Sequence, residues 1–224
     1  MSYWKNYWNN TALDKSLLNQ VQRNSNKKDD GLLLVETHLV ELLNLLHSDA
    51  LLDVCCGNGL ITNRLSKHCN TVLGIDFSPL LIDVATQNNT YSSVEYLVGD
   101  ATTTTKITNK KFDKIVLNFS FQYFNFEEGL RVVSEMKKLL KPNGLILLGD
   151  IPGQKHFWSY YNTISKRFFY LKQWLFNQPK MGKFWSEKEM MKIAKQNNLK
   201  GAFLKQKEKL PHAHYRFDFL LENI

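Results

Sequence analysis

At 224 residues the chain suits one domain with a sizeable core rather than two independent ones. Its apolar runs are interrupted well short of the roughly 20 residues a membrane-crossing helix needs, and residues 1–5 lack the apolar core of a secretory signal, so a soluble, cytoplasmic protein is expected. Three cysteines without a CxxC pair exclude a disulfide framework or a metal-ligand set, and the net charge of +8 is concentrated in 166–209, where twelve Lys or Arg face three Glu, an excess of nine that leaves the rest of the chain close to neutral.

Helical spacing of apolar residues predicts helices over 11–23 and 32–47, so that 1–48 forms a helical cap ahead of the first strand. The aromatic cluster Tyr3, Trp4, Tyr7 and Trp8 can fold down as a lid. Strand-like runs at 51–54, 71–75, 94–98, 113–117 and 144–149 alternate with helical segments at 60–66, 79–87 and 127–140, with polar loops at 24–30 and 102–111. That alternation predicts a doubly wound α/β fold with a mostly parallel sheet covered on both faces. A helical insertion follows the fifth strand, running over 155–176 within a lid at 151–185. Phe157, Tyr161, Ile164, Phe168, Leu171 and Leu175 form one stripe of it; Trp158, Tyr160, Phe169, Tyr170 and Trp174 occupy other faces, more aromatic surface than one contact needs. This insertion is expected to roof a pocket. Ser186 and Glu189 read as a capping box opening a further helix, and 201–206 with 215–221 as a closing hairpin.

The chemistry concentrates at strand ends. After Asp53 comes a tight turn with Gly57 and Gly59, residues that accept positive φ and leave no Cβ between backbone and ligand. Asp76 ends the second strand nineteen residues after Gly57, where open α/β sheets place the carboxylate that holds a ribose diol, and the third strand ends in Gly99-Asp100-Ala101. Each acid alone can merely cap the following helix; their joint order points to a nucleoside cofactor. A nicotinamide-dependent oxidoreductase shares some of this pattern, but the turn lacks the G-x-G-x-x-G register.

From about residue 33 to 221 the chain resembles the class I S-adenosylmethionine-dependent methyltransferases, whose first motif is similar to Leu52-Asp53-Val54-Cys55-Cys56-Gly57-Asn58-Gly59, with Cys55 in place of the first glycine. The substitution suggests a negative φ at Cys55. The resemblance implies a Rossmann-like methyltransferase fold with seven strands, the last antiparallel beside the fifth, and S-adenosylmethionine as cofactor. By that resemblance Asp53 and the turn Cys55, Gly57, Asn58 and Gly59 face its methionine part, Asp76 the ribose, Phe77, Asp100 and Ala101 the adenine, and Asn118 and Phe119 the methionyl and transferred methyl. Tyr123, Asp150, His156, His212, His214, Tyr215 and Arg216 share the sheet's carboxyl edge. His214 and His156 are the preferred bases, with His212 behind them and Tyr123 and Asp150 as further catalytic candidates. The acceptor is expected to be a small molecule, methylated at a hydroxyl oxygen. The alternatives are RNA or another anionic polymer, on the strength of the lysine-rich segment, and a non-catalytic cofactor-binding protein of the same fold. No metal site is expected; oligomeric state and acceptor identity are left open.

Overall fold

The computed structural model describes residues 2–21, 29–89, 91–176 and 181–224. Most of the expected loop at 24–30 and the Trp174 side chain lie outside the described residues. Seven strands make one sheet: β1 (Ala50–Val54), β2 (Thr71–Asp76), β3 (Val94–Val98), β4 (Phe112–Asn118), β5 (Leu140–Pro152), β6 (Leu199–Lys205) and β7 (Arg216–Asn223), in the order β3-β2-β1-β4-β5-β7-β6. The first five pair in parallel, and β7 runs antiparallel between β5 and β6. This is the doubly wound, Rossmann-like sheet that the sequence predicts.

Alternation along β1 sets the layers, because successive side chains leave a strand on opposite faces. Leu51 packs with Val35, Leu39 and Leu43 of α3 (Asp29–Leu43), whereas Leu52 and Val54 join Val132, Val133 and Met136 of α6 (Phe126–Leu139) and Met190 and Ile193 of α9 (Glu187–Gln196). Each such fully buried aliphatic contributes on the order of 1.5–3 kcal/mol. The chain leaves β1 outward to β2 and β3, then crosses back to β4. The reversal opens a crevice at the carboxyl ends of β1 and β4, where sheets of this type bind ligands.

Helix limits follow local chemistry. Ser78 caps α5 (Pro79–Gln87), whose first residue is proline, and reciprocal capping boxes start α6 (Asn125 with Glu128) and α9 (Ser186 with Glu189). Four expectations shift. The helix expected over 11–23 is instead α1 (Ser2–Thr11) and α2 (Leu17–Gln20), because Asp14 accepts the Ser16 N–H and breaks the run. The next helix ends at Leu43 rather than 47, with Asn44 at φ 45 turning the chain out. The helix expected at 60–66 shortens to α4 (Thr62–Leu65) followed by a 3-10 turn. The continuous helix over 155–176 is broken into α7 (Phe157–Tyr160) and α8 (Ile164–Leu175), because Thr163 Oγ1 accepts the Lys166 N–H and starts a new helix there.

Candidate active site

The turn after β1 is held in the left-handed region three times over, with φ of 62° at Cys55, 58° at Gly57 and 74° at Gly59. The negative φ expected at Cys55 is therefore corrected: the turn imposes its geometry on whatever residue occupies the position. An L-residue there costs about 1–2 kcal/mol, tolerated because neighbouring hydrogen bonds, Cys56 N–H to Ile75 O at 3.1 Å and Gly59 N–H to Cys56 O at 3.2 Å, lock the turn. Gly59 serves packing, since a Cβ there would lie 2.4 Å from the Tyr96 hydroxyl oxygen.

Each carboxylate at a strand end has a structural anchor. Asp53 accepts the Thr62 hydroxyl at 2.6 Å, and Asp100 accepts the Thr102 N–H at 2.9 Å, capping the 3-10 turn Ala101–Lys106. Asp76 accepts N–H groups from Gly57 and Ser78, each at 3.0 Å. Burial pushes its pKa up to about 6, against the opposing pull of hydrogen bonds from Ser78, Gly57 and Phe77. Burial also drives the Cys55 thiol well above its ordinary range, and the charges of Asp76, Asp53 and Asp100 add to that rise. The same negative field favours a cation.

These groups surround one cavity of about 1160 Å³, counted with its open mouth. Asp53, Cys55, Gly57, Asn58, Asp76, Phe77, Asp100, Ala101, Asn118 and Phe119 all line it; of the expected cofactor residues only Gly59 does not. Asn58 spends its side-chain amide on Leu17 O and Gln20 Oε1, both at 2.9 Å, tying α2 to the turn. Trp4 and Trp8 complete the wall, their rings 4.4 and 5.5 Å from that of Tyr123, and Asn9 accepts the Ser78 hydroxyl at 2.6 Å. The aromatic amino end thus lies against the cavity.

Of the expected catalytic residues, Tyr123 lines the cavity, whereas Asp150, His156 and His214 are not in its wall, and both histidines are exposed. His212 comes nearer, its ring 6.1 Å from that of Phe119. No described residue of the 151–185 insertion lines the cavity, so the expected roof is formed instead by the amino-terminal helix. Behind the wall runs a buried polar network that sequence reasoning did not assemble. Arg216 donates from Nη1 to Gln122 Oε1 at 2.7 Å and to the Asp150 carbonyl. Asp218 accepts the Asp150 N–H at 2.8 Å, binds Gln206 at 3.1 Å and pairs with His38 at 2.7 Å. Asp150, at φ 59, sits in a bulge where the β5–β7 register shifts, a device invisible to hydropathy. Val21 and Leu39, also lining the cavity, carried no signal beyond ordinary helix packing.

Residues 52–148 match the family described as a methyltransferase domain. A demethylmenaquinone methyltransferase from Leptospira interrogans is 30% identical over 113 residues, 48% of this chain and 45% of that protein. The chain thus spans about half the length of the curated relatives it matches. Within 52–148 the chain thus matches a methyltransferase domain, the class its sequence resembles. In fold, the chain is similar to magnesium protoporphyrin IX methyltransferase from Synechocystis, solved with S-adenosylhomocysteine, at TM-score 0.69, 16% identity and 100% and 99% coverage of the two chains. It is also similar to the N-methyltransferase NodS from Bradyrhizobium japonicum, at TM-score 0.64, 15% identity and 99% and 98% coverage.

The residues around the cavity fit S-adenosylmethionine. Asn118 Nδ2 is buried at the cavity without a hydrogen-bond partner among the described residues, a donor suited to a ligand carboxylate. Three carboxylates in or beside the wall suit a sulfonium.

Proposed function

We propose that the chain transfers a methyl group from S-adenosylmethionine to a small-molecule acceptor, at a hydroxyl oxygen. The observation that carries this reading is the convergence on one cavity of Asp53, Asp76 and Asp100 with an aromatic wall of Trp4, Trp8, Phe119 and Tyr123. In this reading Asp76 would hold the ribose hydroxyls, Asp100 and Phe77 the adenine end, and Asp53 with Asn118 the methionyl end. When bound, S-adenosylmethionine would supply an electrophilic methyl for transfer to the acceptor oxygen.

The chain's own work is alignment and proton removal. Positioning of reacting groups can lower a barrier by about 7–11 kcal/mol in favourable cases, and a placed base adds roughly 10²–10⁴ in rate. The aromatic wall would orient an apolar or aromatic acceptor and exclude water. In this reading Tyr123, in the cavity wall, would hold the acceptor hydroxyl, and His212, outside the wall with its ring 6.1 Å from that of Phe119, would take its proton. The buried guanidinium of Arg216 holds Phe119 and Gln122, so the wall keeps its shape as the acceptor enters.

Calorimetric titration with S-adenosylmethionine, with NAD in parallel, followed by labelled-methyl transfer into fractionated metabolites, tests the proposal. Binding of the first alone and label in an alkali-stable small-molecule ether supports it. Label recovered only in RNA, or at nitrogen or carbon, refutes the acceptor assignment.

A further inference from the structure

The insertion between β5 and α9 turns its apolar stripe outward. Ile164, Phe168, Leu171 and Leu175 recur at i, i+4, i+7 and i+11 along α8, and all four are exposed, Ile164 by 87% and Phe168 and Leu175 by 71% each. At roughly 100° per residue, Tyr170 falls on the far side of the helix. There it packs on Phe157 and Tyr161, at 5.1 and 4.9 Å between ring centroids. Arg167 adds a second anchor, donating from Nε to the Tyr161 carbonyl at 3.1 Å. The helix is therefore tied to the protein through Tyr170 and Arg167 while its aliphatic face meets solvent, and Trp158, Phe169 and Phe176 of the same insertion are exposed as well.

The charge of the segment is one-sided. Between Asp150 and Glu187 the chain has six Lys or Arg and no Asp or Glu. Lys172 projects about 80° from Ile164 on the helix, at the border of the stripe. An apolar face edged by lysine and surrounded by Trp, Tyr and Phe is the pattern of helices that lie in a membrane interface. At twelve residues α8 is too short to cross a bilayer, which fits an in-plane position.

We propose that α8 docks in plane on an anionic lipid bilayer, burying Ile164, Phe168, Leu171 and Leu175 at the acyl boundary while the basic residues meet headgroup phosphates. A nucleic acid would use the cations and leave the aliphatic stripe in water. Lys155 and Lys183 are paired with Glu187 and Glu189, and a second copy related by twofold symmetry would set Lys166, Arg167 and Lys172 of α8 against the same three cations. A bilayer satisfies both features at once. The docked helix is linked through Tyr170, Tyr161 and Tyr160, ring upon ring at 4.9 and 4.8 Å, to Tyr215 at 4.9 Å, the neighbour of Arg216.

The test is co-sedimentation of the full chain with vesicles of phosphatidylglycerol and phosphatidylcholine in equal parts, and with pure phosphatidylcholine. Binding to the mixed vesicles should exceed binding to phosphatidylcholine at least about tenfold and fall with added salt. The double variant Phe168→Ser/Leu175→Ser should lose at least about tenfold in binding to mixed vesicles, and Lys172→Glu should weaken it further with the stripe intact, both with wild-type thermal unfolding. Failure of the wild-type chain to bind mixed vesicles overturns the proposal, as does equal binding by the double variant. A dimer, or an RNA complex, abolished by the same double variant while vesicle binding persists would assign the face to that partner instead.

Discussion

The guanidinium of Arg216 lies 4.6 Å from the centroid of the Phe119 ring, so the last strand of the sheet holds the segment that follows the fourth. Phe119 itself has φ 64, a conformation an L-residue keeps only when its surroundings insist. Arg216→Met removes the donor to Gln122 and to the Asp150 carbonyl inside the protein. The expected loss of stability is about 3 kcal/mol by urea denaturation. Arg216→Lys should recover part of that stability, yet leave methyl transfer depressed with cofactor affinity near wild type. Wild-type turnover in the lysine variant would mean that Phe119 needs no such support.

Asp76 gives a pH signature. Its folded pKa of about 6 lies above the ordinary 3.8, so the folded state binds more protons between those values and its stability falls as pH rises through that window. Ionised at pH 7, the group costs on the order of 3 kcal/mol. Asp76→Asn should therefore stabilise the cofactor-free protein at pH 7 by about 1–2 kcal/mol, the difference after one backbone hydrogen bond worth about 1 is lost. The same variant should bind S-adenosylmethionine at least about tenfold more weakly, and wild-type affinity should decline below pH 6 as the acceptor is protonated. Unchanged affinity in Asp76→Asn and Asp76→Ala would remove Asp76 from the cofactor site.

Cys55 tests backbone strain separately from chemistry. Cys55→Gly and Cys55→Ala both delete the thiol, but only glycine relaxes at a φ of 62°. The glycine variant should be the more stable of the two by about 1 kcal/mol, with cofactor affinity at least equal to wild type. An alanine variant as stable as the glycine one would show that the turn stores no strain at this position.

Trp8 is buried edge-on against Tyr123 at 5.5 Å, in the wall that the amino-terminal helix contributes. Trp8→Ala should open that wall and weaken cofactor binding about tenfold, chiefly through faster dissociation seen by stopped-flow fluorescence. Equal dissociation rates in the two proteins would make α1 a bystander.

Much of the site was legible because it obeys local rules. Asp53, Asp76 and Asp100 each end a short apolar run, and parallel strands side by side must bring such ends to one edge. Tyr123 and Arg216 were reachable by the same topological argument. The sequence ranked His214 and His156 ahead of His212, but all three follow sheet strands and only the packing of the 206–215 connection decides which ring approaches Phe119. The outward stripe of α8 misled for a related reason: periodicity marks a face as apolar without saying what covers it.

The sequence by itself determined the class of sheet, the order of its first five strands, the cofactor turn and the capping boxes, because each depends on residues within one or two turns of chain. Tertiary structure alone decided that Cys55 sits at positive φ, that α1 rather than the 151–185 insertion walls the cavity, and that Arg216, Asp150, Asp218 and His38 share a buried network. Those outcomes depend on contacts between residues as far apart as 38 and 218, where burial and hydrogen-bond satisfaction over the whole fold outweigh any local preference.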